Sequence, residues 1–276
     1  MPSLANHQSN DFVKLLLLGD AKSGKTGSLV SLVEAGYKLR ILDMDNLLDS
    51  LKHFIVAKCP TKIDNVEFKT IRDKYKAGPT GAILDGQPKA WMTAIKMLDN
   101  WKYDDTDLGK PATWGRDCIL VIDSLSRLCD AAYDFHEAMA GPKMDGRAVY
   151  GNAQDDVERV IAMLTSSAME TNVIVIAHGS YMDLPDGTKK IFPQAVGQKL
   201  SPKLPQYFPS YVRYKNQGGK RTIQLVSDAM IDLANPKPFA MEKSYDIEDG
   251  LAKFFQALVG DPPGVEAKPV LKLKRM

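Results

Sequence analysis

Hydrophobic residues in this chain gather in short unbroken runs, each followed by an amphipathic stretch. Residues 13–18, 37–42, 118–122 and 173–177 are four such runs. Their length and their content of Val, Ile and Leu predict strands buried on both faces of a parallel sheet. Helices are predicted over 25–35, closed by Gly36, and over 47–56, 89–101 and 154–170. In the last of these Val157, Val160, Ile161 and Leu164 keep the spacing of one helix face. A further strand is predicted at 65–71, turn-rich chain at 77–88, and a loop at 102–116, where Gly, Pro and polar residues break both periods. After residue 178 the texture changes. Segments 181–184 and 189–192 flank Pro185-Asp186-Gly187, segments 211–214 and 222–226 flank the turn 216–219, and both read as antiparallel hairpins. A last amphipathic helix covers 247–258. Strands alternating with helices predict an α/β fold: a mostly parallel sheet covered by helices on both faces, with antiparallel hairpins added near the C-terminal end.

Composition narrows the class without naming an activity. The 276 residues are 44% hydrophobic and 25% charged, with a formal net charge of +2, as in an ordinary soluble globular protein. The division expected is a polar arm at 1–11, one large domain at 12–259 and a Pro/Lys-rich basic tail at 260–276. Cys59, Cys118 and Cys129 are scattered without metal-ligand spacing, which points to reduced thiols and a cytoplasmic location. No apolar run is long enough to span a bilayer, so no membrane partner is expected. The overall charge does not announce a polyanionic partner; such a surface requires Lys and Arg clustered on one face.

The strongest chemical signal follows the first strand. Gly19, Asp20, Ala21, Lys22, Ser23, Gly24, Lys25 and Thr26 satisfy the phosphate-loop pattern G-x-x-x-x-G-K-[ST] at every fixed position. The glycines let backbone N–H groups wrap a phosphate, and the helix that follows adds the positive end of its dipole. Lys25 is expected to reach the β- and γ-phosphates of ATP, and Thr26 to supply a hydroxyl to Mg²⁺. Ligands collect at the carboxyl ends of parallel strands, so Asp45, Asp123 and His178 should face this loop. Asp123 ends an aliphatic run and is the expected second holder of Mg²⁺. Ser124 follows it, where many P-loop motors carry a Glu that activates water. The water-orienting carboxylate is therefore sought at Asp45, with Asp43 as competitor and a plain helix cap as the other reading of Asp45. His178 either hydrogen-bonds the γ-phosphate or is a structural histidine.

The four segments 19–26, 41–45, 120–124 and 173–178 together resemble the successive motifs of the RecA-type recombinase core. Among its branches the chain looks most like the small RecA-like AAA-family ATPases encoded by phages, some of which assist single-strand annealing and recombination. The resemblance covers roughly residues 12–227. In RecA-like proteins the residue matching Asp45 is usually Glu and the one matching His178 is often Gln. The resemblance implies a Mg²⁺-dependent ATPase acting on single-stranded DNA, a ring or filament of identical subunits, and a single-strand-binding protein as a further partner. It implies DNA contacts from loops at 139–152, with Lys143, Arg147 and Tyr150, and at 179–203, with Lys189, Lys190 and Phe192. Cations interleaved with aromatic rings suit phosphates and unstacked bases, although exposed loops are commonly lysine-rich for solubility alone. The segment after 178 is also where a neighbouring subunit's cation is expected, with Lys199 and Lys203 ahead of Arg213. A helicase or packaging motor on the same core, and a nucleotide-gated scaffold with slow hydrolysis, remain alternatives. No Asn-Lys-x-Asp motif for guanine occurs.

Overall fold

A computed structural model describes residues 11–140 and 145–262. The first run forms β1 (Lys14–Gly19), which passes through the loop into two short helices, α1 (Lys25–Ser28) and α2 (Val30–Ala35). Gly36 ends α2 at φ 105°, a left-handed conformation that glycine adopts without strain. Next come β2 (Lys38–Asp43), α3 (Asp49–Lys58) and β3 (Val66–Thr70). A hairpin of β4 (Tyr75–Gly78) and β5 (Gly81–Leu84) occupies the stretch read as turns, and α4 (Ala90–Asp99) follows. The predicted loop at 102–116 contains a small ladder, β6 (Lys102–Tyr103) with β7 (Thr106–Asp107), before β8 (Gly115–Asp123) begins.

Two helices pack after β8: α5 (Leu125–Met139) and α6 (Gly146–Thr165). Neither α5 nor the first turns of α6 were expected. The buried face of α5 is built from Leu125, Leu128, Cys129, Ala131 and Ala132, so small residues blur its periodicity. Asp145 caps α6 by accepting the Arg147 backbone N–H at 3.0 Å. Within the 139–152 segment Met139 thus ends α5 and residues 146–152 form the first turns of α6, while residues 141–144 lie outside the described residues. Then follow β9 (Thr171–Ala177), the hairpin β10 (Gly179–Asp183) and β11 (Lys189–Pro193), and α7 (Gly197–Lys203), a helix inside the second expected loop. The chain closes with β12 (Ser210–Gln217), β13 (Lys220–Gln224), β14 (Ser244–Asp246) and α8 (Gly250–Val259).

Eight strands form one sheet in the order β14-β13-β12-β1-β9-β8-β2-β3. From β12 to β3 every neighbouring pair is parallel, and β13 runs antiparallel to both its neighbours. Strand β12 therefore joins the parallel sheet directly beside β1, and only the rest of its hairpin is an antiparallel addition.

Alternate residues of each central strand feed opposite faces. Leu16, Leu18, Leu120, Ile122, Val173 and Val175 pack with α4, α5 and α6 through Trp91, Leu98, Leu128, Val157 and Ile161. Leu15, Leu17, Ile119, Val121, Ile174 and Ile176 pack with α2, α3 and α8 through Leu32, Leu51, Ile55, Phe254 and Phe255. Each such fully buried side chain contributes about 1.5–3 kcal/mol of transfer free energy. This two-sided burial fixes the strand ends that carry the polar residues.

Candidate active site

The loop closes tightly on the end of β1. A Cβ at Gly19 would stand 2.7 Å from Ser23 Oγ and 2.8 Å from Tyr214 Cβ, so this position has no room for a side chain. Gly24 takes φ 96° immediately before α1. Lys25 Nζ donates to the Gly19 and Asp20 carbonyls, both at 2.8 Å. Burial lowers its pKa to about 8, against the opposing pull of Asp123, Asp20 and Asp45.

Thr26 Oγ1 donates to Asp123 Oδ2 at 2.6 Å, joining the loop to the end of β8 across the intervening β9. Asp123 is buried, and its pKa is pushed up to about 6 by desolvation first, then by the Asp45 and Asp43 carboxylates, with Thr26 and Lys25 opposing. A buried carboxylate beside two others is a site short of positive charge. The two oxygens of Thr26 and Asp123, a hydroxyl and a carboxylate, are the hard donors that Mg²⁺ takes, so the residues present fit that ion.

The two candidate carboxylates of 41–45 are differently occupied. Asp43 lies opposite Asp123 in the β2–β8 register. Its Oδ1 accepts the Asn46 N–H at 2.7 Å and its Oδ2 accepts the Thr70 hydroxyl at 2.8 Å, so it ties the turn after β2 to the end of β3. Asp45 faces the crevice. His178 Nε2 is 3.8 Å from its Oδ2, and Arg127 Nε is 3.4 Å from its Oδ1. Burial pushes the Asp45 carboxyl up, but the His178 ring and the Ser124 hydroxyl, with the Arg127 guanidinium after them, outweigh it and hold the carboxyl below the usual range. Arg127, which also binds Asp130 at 2.9 Å, was not among the residues expected here. It sits four residues beyond Asp123 on the first turn of α5, and without that helix nothing in the sequence aims it at Asp45.

The expected DNA-contacting and trans-acting residues are dispersed. Lys143 lies outside the described residues. Arg147 and Tyr150 are exposed on the first turns of α6, and Tyr150 rests against Tyr133 with ring centroids 4.6 Å apart. On the β10–β11 hairpin Lys189 pairs with Asp183 at 3.5 Å, Lys190 pairs with Asp232, and Phe192 is half-buried. On α7 Lys203 meets Glu158 at 3.4 Å, whereas Lys199 is exposed.

A glycine-bearing loop between strand and helix, a Lys-Thr pair at its end and an aspartate on the strand two places away define a P-loop NTPase-like α/β protein. The chain belongs to the AAA domain family, whose profile matches residues 11–233. No curated protein is detectably similar to it. Among solved structures it is similar to an ATPase of the type III secretion system of pathogenic bacteria, at 12% identity over 73% of this chain and 51% of that one, with a TM-score of 0.41. It is likewise similar to the assembled ATPase EscN in complex with its central stalk EscO from enteropathogenic E. coli, at 12% identity over 74% of this chain and 42% of that one, again with a TM-score of 0.41. The chain thus spans about half the length of these solved chains. Among the described residues no helix is long and apolar enough to cross a membrane.

Proposed function

We propose that this protein binds ATP with Mg²⁺ on the 19–26 loop and hydrolyses it. The observation that carries the reading is the 2.6 Å hydrogen bond from Thr26 to Asp123, which unites the loop with the end of β8 in the crevice that Asp45 faces. Thr26 and Asp123 would hold the ion, which when bound neutralises charge on the phosphates. Lys25 releases the two loop carbonyls to meet the β- and γ-phosphates, and Asp45 orients the attacking water. His178, on the other oxygen of Asp45, reports the state of the γ-phosphate. ATP turnover by the purified full chain tests this; Lys25→Ala should abolish it, and turnover unaffected by that change would refute the assignment.

The finer reading is action on single-stranded DNA in recombination or annealing, by an assembly of identical subunits. Its support is position: the β10–β11 hairpin starts immediately after His178, Gln194 N–H donates to the His178 carbonyl at 2.8 Å, and Tyr181 and Arg147 are exposed. The carboxylates that hold Lys189 and Lys190 favour the second reading, a nucleotide-gated scaffold whose slow hydrolysis switches assembly. Turnover measured with and without single-stranded DNA separates the two. Stimulation by DNA supports the first, and DNA-independent turnover that rises with protein concentration supports the second. Lys199, exposed on α7, is the better candidate for a cation given to a neighbouring subunit, because Lys203 is held by Glu158 of its own chain.

A further inference from the structure

A cavity of about 720 Å³ opens beside the loop, lined by Gly24, Ser28, Phe54, Arg221 and Ile247 among others. It lies on the side of β1 where β12, β13 and β14 stand, whereas Asp123, Asp45 and His178 lie on the side of β9, β8 and β2. The loop therefore has its chemistry at one end and an open cavity at the other. We infer that this cavity takes the nucleoside part of the substrate, a purine base with its ribose, and that Arg221 and Ile247 form its recognition wall. The inference rests on the phosphate-loop reading above. With the terminal phosphate fixed at Lys25, Thr26 and Asp123, the rest of the nucleotide must leave along the loop toward β12.

The wall has the chemistry that a flat heterocycle needs. Ile247 Cδ1 would stand 2.6 Å from a Cβ on Gly24, so its methyl lies directly on the loop. Arg221 follows the same surface, with Nη1 3.6 Å from that position. Two charge pairs here neutralise each other, Lys220 with Asp246 at 3.5 Å and Lys253 with Asp249 at 2.8 Å, while Lys58 and Glu248 also line the cavity. Arg221 makes no ion pair among the described residues, which leaves its planar guanidinium available to stack on a base. The volume falls within the range of about 300–1,000 Å³ usual for small-ligand sites. The family match ends at residue 233, so Arg221 lies inside the matched region and Ile247 beyond it.

The test compares ATP with inorganic triphosphate, each with Mg²⁺, binding to the full chain and to Arg221→Ala and Ile247→Ala. Arg221 is exposed, so its replacement leaves the fold intact. Each variant should weaken ATP and ADP by about 5- to 30-fold, the worth of a desolvated cation–π or stacking contact, and leave triphosphate unchanged. ATP binding equal to wild type in both variants overturns the inference. So does equal weakening of both ligands, which would mean a distorted loop. Wild-type protein that binds triphosphate as tightly as ATP overturns the pocket alone, and wild-type protein that binds neither brings down the phosphate-loop reading and the pocket with it.

Discussion

Asp45 stands between two partners from elements that are distant in sequence: the Arg127 guanidinium on α5 at 3.4 Å and the His178 imidazole after β9 at 3.8 Å. Asp43, two residues earlier, is bound instead by backbone N–H groups and Thr70. The two carboxylates therefore separate by experiment. Asp45→Asn should keep ATP binding and thermal stability and lose roughly 10²- to 10⁴-fold in turnover. Asp43→Asn should lower stability by about 1–3 kcal/mol through the hydrogen bonds it disrupts, with a smaller effect on kcat. The reverse pattern in denaturation and steady-state assays would assign the water to Asp43.

Arg127 acts on the reaction through Asp45. Arg127→Ala should lower kcat with KM for ATP unchanged, and Arg127→Lys should restore part of it, since a charge without the guanidinium fork holds one oxygen less well. In a protein already carrying Asp45→Asn, adding Arg127→Ala should change nothing further. Additive losses in that double variant would show that Arg127 works independently of Asp45.

The Thr26–Asp123 pair sets the ion requirement. Asp123→Asn should raise the Mg²⁺ concentration giving half-maximal turnover, because a neutral amide holds a hydrated cation less well. Thr26→Ala should act in the same direction. A Mg²⁺ titration that superimposes on wild type would remove both from the ion.

A pH effect is expected far from the site. Lys14 Nζ donates to the Met169 and Thr171 carbonyls, both at 2.6 Å, and burial lowers its pKa from 10.5 to about 7. Between those values the unfolded chain binds more protons than the folded one, so stability should rise as pH rises from about 7 toward 10.5. Below about 7 both states carry the proton and the full cost of burying the charge remains. Denaturant unfolding of wild type and Lys14→Met across this window checks the sign: the variant should lose that rise.

Long aliphatic strands and a loop with fixed glycines were legible because both are local: the runs 13–18, 118–122 and 173–177 lie on β1, β8 and β9 within a residue or two at most ends. What escaped depends on contacts between distant segments. The buried face of α5 uses Ala and Cys where a strong period needs Leu or Ile, and α7 carries Pro202 inside it. Arg127 could be placed only once α5 existed. The partners of Lys190 and Lys203 lie 42 and 45 residues away, a separation at which no local pattern reveals whether a lysine is exposed or paired. The cavity beside Gly24 likewise joins residues from α1, α3, the β12–β13 turn and the chain after β14, which share no motif.

The border at residue 233 has a mechanical consequence. Helix α8 lies beyond it, yet Leu251, Phe254, Phe255 and Leu258 are buried in the same core as Leu15 and Leu17, and Phe255 meets Tyr37 edge-on at 5.4 Å. Strand β14 extends the sheet there, with Tyr245 opposite Ile223. A shorter chain cut where the family match stops would keep every residue of the phosphate loop and strip the α2–α3 side of the sheet of part of its cover. At about 1.5–3 kcal/mol for each large apolar side chain laid bare, that loss rivals the entire margin by which a domain stays folded. The stretch that matches the family is thus shorter than the stretch whose side chains fill this side of the sheet, and the residues that hold the sheet closed outnumber those the match accounts for.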